Sequence, residues 1–133
     1  IFCADRYYGF DDALYVAART LSILSATDRS LADFRKALPK AFNTPELRFA
    51  CPEDRKFQVV AEVSARLKRT GAEVCAVDGA RVKLGDGWWL LRASNTQNAL
   101  VARCEAMTAS GLAAAKAALV DQLRLSGVEI AAI

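Results

Sequence analysis

The sequence predicts an α+β domain: a small antiparallel sheet of about four strands covered by two helices, in the order β-α-β-β-β-α, preceded by two helices that belong to another domain. Three observations carry that prediction. Residues 80–84 and 100–105 alternate apolar and polar with period two, as half-buried strands do. Residues 57–67 and 112–123 instead repeat their apolar positions every three or four residues, which is the period of a helix. Turn sequences, Asp78-Gly79 and Gly85-Asp86-Gly87, punctuate the strand region. A chain of 133 residues fits one ordinary domain, or a small domain with an appendage.

Taken in order, residues 1–40 read as helical after a short lead-in. Asp11 or Asp12 can cap a helix in which Leu14, Ala17, Leu21 and Leu24 form an apolar stripe. Ser30 with Asp33 resembles a capping box, Leu31, Phe34 and Leu38 follow at helical spacing, and Pro39 stops the run. Two helices this short cannot bury their apolar faces on each other, so the block reads as the tail of another domain. Residues 40–45 read as a linker.

Beyond it, Leu47 to Ala50 is a strand, and Pro52-Glu53-Asp54 opens a helix. Phe57, Val60, Val63 and Leu67 are expected on its inner face, with Lys56 among the polar residues elsewhere, and Gly71 takes the left-handed position at its end. Glu73 to Val77 is a short strand. Ala80 to Leu84 and Trp88 to Leu91 form a hairpin, and Leu100 to Glu105 adds a strand. Adjacent Trp88 and Trp89 point to opposite faces, one into the core and one toward an edge or surface. Thr108 or Ser110 caps the last helix, with Leu112, Ala115, Leu119 and Leu123 inward and Gly127 closing it.

Composition narrows the function. Hydrophobic residues make up 53% and charged residues 25%, which excludes a disordered chain. No apolar run approaches the roughly 20 residues of a membrane span, and no secretory leader is expected. The chain opens at Ile1 without an initiator Met, which predicts a piece of something longer. The net charge of +3 is modest and its bases are interleaved with acids, so nucleic acid is not an expected partner. There is no histidine, which removes Ser-His and Cys-His nucleophile pairs. Cys3, Cys51, Cys75 and Cys104 lie far apart with no Cys-x-x-Cys pair, and read as buried, reduced cysteines of a cytoplasmic protein rather than a metal site. Arg103 and Glu105 read as a surface pair of little energetic weight.

The segment richest in chemistry is Arg92-Ala93-Ser94-Asn95-Thr96-Gln97-Asn98, between two strands. It is longer than most hairpin turns and has no glycine, yet it offers a guanidinium, hydroxyls and amides and no carboxylate. Arginine presents a planar fork matched to phosphate oxygens, and hydroxyls and backbone N–H groups of a tight loop complete an anion cradle. On this reading alone a polar hairpin tip with Arg92 exposed is an equal alternative. Ser94 has no base near it in sequence, so no catalytic nucleophile is assigned.

Arg-Ala-Ser-Asn-Thr-Gln, preceded by Gly-Trp-Trp-x-Leu and Asp78-Gly79, resembles the signature of the α-D-phosphohexomutase family, which includes bacterial phosphomannomutase/phosphoglucomutases. Phe2 to Ala13 and the helix after it resemble the end of that family's third domain, just past its sugar-recognition loop. The resemblance implies that residues 1–40 are the tail of the third domain and 41–133 the C-terminal phosphate-binding domain, with a TATA-box-binding-protein-like fold. It implies phosphate contacts from Arg92, Ser94, Asn95, Thr96 and Gln97, and makes Arg6 a candidate for approaching the cleft. Asn98 departs from the family's usual proline. The phosphorylated serine, the Mg²⁺ loop and the sugar-recognition loop have no counterpart here, so the implied Mg²⁺ has no ligand in this chain. The expected partners are a phosphorylated hexose and the remaining domains of the parent enzyme, with neither membrane nor nucleic acid. A free-standing binding module for nucleic acid or a phosphorylated ligand is the alternative reading.

Overall fold

The structure, a computed structural model, describes residues 1–130. The chain divides into two compact units, Ile1–Pro39 and Lys40–Ile133.

In the first unit, α1 (Ala13–Ser25) starts where Asp12 caps it, its carboxylate accepting from the Tyr15 N–H at 2.9 Å. The other Asp12 oxygen accepts from the Tyr7 hydroxyl at 2.7 Å. The Tyr15 amide bond and then the Tyr7 hydroxyl bond hold the Asp12 carboxyl below its ordinary pKa. Tyr7 also stacks on Tyr15 with ring centroids 4.0 Å apart. The short α2 (Leu31–Lys36) carries the expected capping box between Ser30 and Asp33.

The expected stripe of α1 is not its covered face. Leu14 is 84% and Leu21 66% exposed, while Tyr15, Val16, Arg19 and Thr20 are half-buried. The lead-in accounts for this: Tyr7 packs on Tyr15, and Asp5 pairs with Arg19 at 3.1 Å, so it covers that flank of the helix. Neither helix buries a residue fully.

The second unit is an α+β layer pair. Its strands are β1 (Phe42–Asn43), β2 (Leu47–Ala50), β3 (Val74–Cys75), β4 (Ala80–Leu84), β5 (Gly87–Ala93) and β6 (Ala99–Ala106). All pairings are antiparallel, in the order β1-β6-β5-β4-β3, with β2 also pairing with β6. The six strands exceed the expected four because two-residue strands, β1 and β3, join at the edges. The predicted linker thus contains a strand. Thr44 closes it, its N–H donating to the Cys104 carbonyl at 3.0 Å and its buried hydroxyl accepting from the Cys104 N–H at 3.1 Å. Predicted strand 73–77 shrinks to β3, and Val77 is 92% exposed.

The helices α3 (Glu53–Arg69) and α4 (Ala109–Leu125) cover one face of this sheet. Between them and the sheet lie Phe49, Val59, Val63, Val82, Trp89, Leu91, Leu100, Ala102, Cys104, Ala115, Leu119 and Leu123. Trp89 is 1% exposed and its neighbour Trp88 half-buried on the opposite face, as strand alternation requires. Thr108 caps α4, accepting from the Gly111 N–H at 3.0 Å. Both helices end at glycines of left-handed φ, Gly71 at 74° and Gly127 at 72°.

The inner face of α3 differs from the expectation. Phe57 is 54% exposed, and the fully buried positions are Lys56, Val59 and Val63. Val63 is buried as expected and Val60 and Leu67 pack against the core, so the covered stripe is only shifted toward Lys56 and Val59, leaving Phe57 outside it. That shift puts a lysine on the covered face.

Candidate functional site

The turn between β5 and β6 is built by its own polar groups. Register pairs Arg92 with Val101 and Ala93 with Leu100, so the strands run straight into it. The Ser94 N–H donates to the Ala99 carbonyl at 2.9 Å, and the Ala99 N–H donates back to the Gln97 carbonyl at 2.8 Å. Ser94 is only 6% exposed, and its hydroxyl oxygen accepts from the Gln97 N–H at 3.2 Å and the Thr96 N–H at 3.4 Å. This is a serine-centred turn: the hydroxyl gathers two backbone donors that would otherwise splay. Asn95, Thr96, Gln97 and Asn98 are exposed around it.

Three groups tie the turn to the rest of the unit. The Cys51 N–H donates to the Asn98 carbonyl at 3.0 Å. Lys56 Nζ donates to the Gln97 carbonyl at 3.1 Å and pairs with Glu53 at 2.6 Å. Arg48 donates to Gln97 Oε1 and pairs with Glu46. The Gln97 side-chain oxygen is therefore engaged, which leaves its amide nitrogen as the free donor.

Arg92 stands at the mouth of the turn on the sheet face that carries no helix, alternating with buried Leu91. It is half-buried and makes no hydrogen bond or ion pair among the described residues. A guanidinium with its donors unspent among the described residues, beside a serine hydroxyl whose oxygen is held by two backbone N–H groups and whose proton remains to donate, is an arrangement suited to an oxyanion. The same open face carries Arg48 opposite Val101, Arg103 opposite Leu90, and Arg81 stacked on Trp88 at 4.6 Å. Trp88 is thus packed under a guanidinium. Arg103 and Glu105 form no ion pair with each other, contrary to expectation.

The structure brings Arg92, Ser94, Asn95, Thr96 and Gln97 together on one turn. Arg6 lies in the first unit, exposed, its carbonyl accepting from the Tyr15 hydroxyl at 3.1 Å. Sequence reasoning missed Lys56, Arg48 and the packing of Gly79. For Lys56 the signal was its spacing of three and seven from Val59 and Val63, which puts it on their stripe. Gly79, read as a turn residue, has a φ of 82° and also lies against the backbone entering the loop: a Cβ there would sit 2.2 Å from the Leu91 carbonyl oxygen. Among the described residues, no group of three or more His, Cys, Asp or Glu could hold a metal ion.

The cysteines divide by burial, against the expectation that all are buried. Cys51 and Cys104 are buried, Cys3 is half-buried and Cys75 is exposed. Burial pushes the Cys104 thiol up to about 11 and raises that of Cys51. A disulfide reagent at pH 8 is therefore expected to label Cys75 rapidly in the native chain and to leave Cys51 and Cys104 unreacted until denaturant is added. Rapid native labelling of Cys104 would contradict this packing. Because its folded pKa is raised, Cys104 contributes stability that is fully present below its unfolded pKa and is lost as pH rises toward about 11.

An antiparallel sheet with both helices on one face, and a donor-rich turn beside a free arginine, defines a small α+β domain equipped to face an anion. The family model described as "Phosphoglucomutase/phosphomannomutase, C-terminal domain" matches residues 46–122, more than half of the chain. The chain belongs to the phosphoglucomutase/phosphomannomutase family, as a C-terminal domain. It is 45% identical over 114 residues to a phosphoglucomutase of Neisseria meningitidis serogroup A, covering 84% of this chain and 25% of that protein. It is 37% identical over 124 residues to the phosphomannomutase/phosphoglucomutase of Pseudomonas aeruginosa, covering 93% of this chain and 27% of that one. A crystal structure of a phosphoglucomutase/phosphomannomutase family protein from Burkholderia thailandensis superimposes with a TM-score of 0.77 at 37% identity, over 95% of this chain and 26% of the other. The chain thus spans about a quarter of the length of these relatives. No helix among the described residues is long and apolar enough to cross a membrane.

Proposed function

We propose that this chain is the phosphate-gripping part of a cytoplasmic hexose phosphate mutase, an isomerase that interconverts hexose 6-phosphate and hexose 1-phosphate through a bisphosphate. Residues 41–133 are the gripping domain and residues 1–40 the end of the domain before it. Arg92, Ser94, Asn95, Thr96 and Gln97 hold the phosphate at the far end of the sugar and break no bond. Mg²⁺ and the phosphorylated serine are supplied by other domains of the parent enzyme, and Arg6 approaches the cleft. The bisphosphate must turn around between half-reactions, so a site that reads phosphate and ignores the sugar suits both orientations. Holding the substrate in line with the reacting serine supplies rate through positioning.

The observation that carries this reading is the pairing of an unspent Arg92 guanidinium with the serine-centred turn, in which the Thr96 and Gln97 N–H groups fix the Ser94 oxygen and leave its hydroxyl proton to donate. Charge-assisted hydrogen bonds contribute about 1.5–3 kcal/mol each, so a few of them support millimolar or tighter binding by a domain with no catalytic group of its own.

The test is a titration of the isotope-labelled chain with glucose 1-phosphate, mannose 6-phosphate and a short oligonucleotide in turn. Either sugar phosphate is expected to shift the amides of residues 92–98, and the chain alone to show no mutase activity. An oligonucleotide that moved many amides of the open sheet face, while millimolar sugar phosphate left 92–98 unmoved, would replace this reading with that of a nucleic-acid-binding module.

A further inference from the structure

Lys56 is the one fully buried lysine among the described residues, at 1% exposure. It lies in the first turn of α3, directly beneath the turn that joins β5 and β6. An apolar residue of similar length would fill this space without taking an ammonium out of water, and burying a charge is costly unless its partners repay it. Its partners are Glu53, at 2.6 Å, and the Gln97 carbonyl, at 3.1 Å. The exposed Phe57 ring lies 5.2 Å from the ammonium on the outer side.

The carbonyl that Lys56 holds occupies a key place in the turn. Gln97 donates its N–H to the Ser94 hydroxyl at 3.2 Å, and its carbonyl also accepts from the Ala99 N–H at 2.8 Å. The residue is thus pinned on both sides of its Cα, which holds the turn closed around the Ser94 hydroxyl. A cation on that carbonyl also polarises the Gln97–Asn98 peptide and strengthens the Asn98 N–H as a donor.

We infer that Lys56 is a positioning residue for phosphate binding: from below, its ammonium holds the Gln97 carbonyl and so fixes the turn in which Ser94, its oxygen accepting from the Thr96 and Gln97 N–H groups, turns its hydroxyl proton to the anion. The inference rests on the phosphate-binding reading of the loop. It differs from a packing role, because a residue that merely filled space would alter stability and leave affinity alone.

The experiment compares the wild-type chain with Lys56→Met, which keeps the volume and removes the ammonium, and with Lys56→Gln, which keeps a neutral donor. Each is titrated with inorganic phosphate and with glucose 1-phosphate while backbone amides are followed. Lys56→Met is expected to keep its dispersed strand signals, to move the Thr96 and Gln97 amides before any ligand is added, and to bind phosphate about tenfold more weakly, the loss of one charge-assisted hydrogen bond. Lys56→Gln is expected to recover part of that affinity. A Met variant that loses stability but binds within twofold of wild type overturns the positioning role while leaving the loop's function intact. A wild-type chain whose residues 94–98 ignore both ligands removes the phosphate reading, and the role of Lys56 with it. Should the Met variant not fold, the wild-type Lys56 ammonium nitrogen signal decides: it should shift during the phosphate titration with the same midpoint as the Ser94 amide. An unmoved ammonium signal there overturns the inference.

Discussion

Arg92→Ala is expected to weaken glucose 1-phosphate binding about ten- to hundredfold and to leave the fold in place. The size follows from losing one charge-assisted, two-pronged contact of about 1.5–3 kcal/mol. The sparing of the fold follows from position. Arg92 is half-buried on the helix-free face and makes no hydrogen bond or ion pair among the described residues, so its removal strands no partner. The unfolding free energy should change by no more than about 0.5 kcal/mol, as for surface substitutions generally. Arg92→Lys keeps the charge but not the planar fork, and should restore only part of the affinity. Titration calorimetry and urea unfolding on the same preparations check both halves. In the full-length parent enzyme the same substitution should lower turnover and raise the substrate concentration required. A variant that unfolds would assign the guanidinium a structural role instead.

Gly79→Ala is expected to destabilise the chain by at least about 2 kcal/mol and to weaken phosphate binding by the population that remains folded. Two costs add. The φ of 82° is left-handed, which penalises any residue with a Cβ by about 1–2 kcal/mol. The new Cβ would also lie 2.2 Å from the Leu91 carbonyl oxygen and 2.8 Å from Arg92 Cβ, so the strand leading into the loop must shift. Gly71→Ala is the internal control: its φ is 74°, but a Cβ there meets nothing within 4 Å. It should lose the conformational part alone and keep its phosphate affinity. Equal losses in the two variants, measured by urea unfolding, would show that the contact with β5 carries no weight.

The contrast between these glycines shows where sequence reading stops. Both were recognisable as turn or cap residues, because Asp-Gly and a glycine after a helical run signal left-handed backbone locally. Which of them lies against another strand is a fact of packing between residues twelve or more positions apart. Thr44 makes the same point: within a segment read as a linker, its hydroxyl meets the Cys104 N–H across a long stretch of chain. So does α1, whose Leu14-Leu21 stripe was legible as a stripe but whose covered side was set by Tyr7 and Asp5 folding back on it.

What the sequence by itself determined is the set of elements and the chemistry of one turn. Period two marked β4 and β6, period 3.6 marked α3 and α4, and the turn sequence 85–87 marked the entry to β5, all local properties that need no reference to a partner. The composition of residues 92–98, donors without a carboxylate, likewise marked a candidate anion site before any fold was known. Only the tertiary structure decided how that turn is held. The covered face of α3 takes Lys56 in place of Phe57, and no local propensity distinguishes the two, because the choice depends on what lies opposite. Opposite lies a carbonyl of Gln97, 41 residues away in the chain, and a buried ammonium is tolerable there only because that carbonyl and Glu53 receive it.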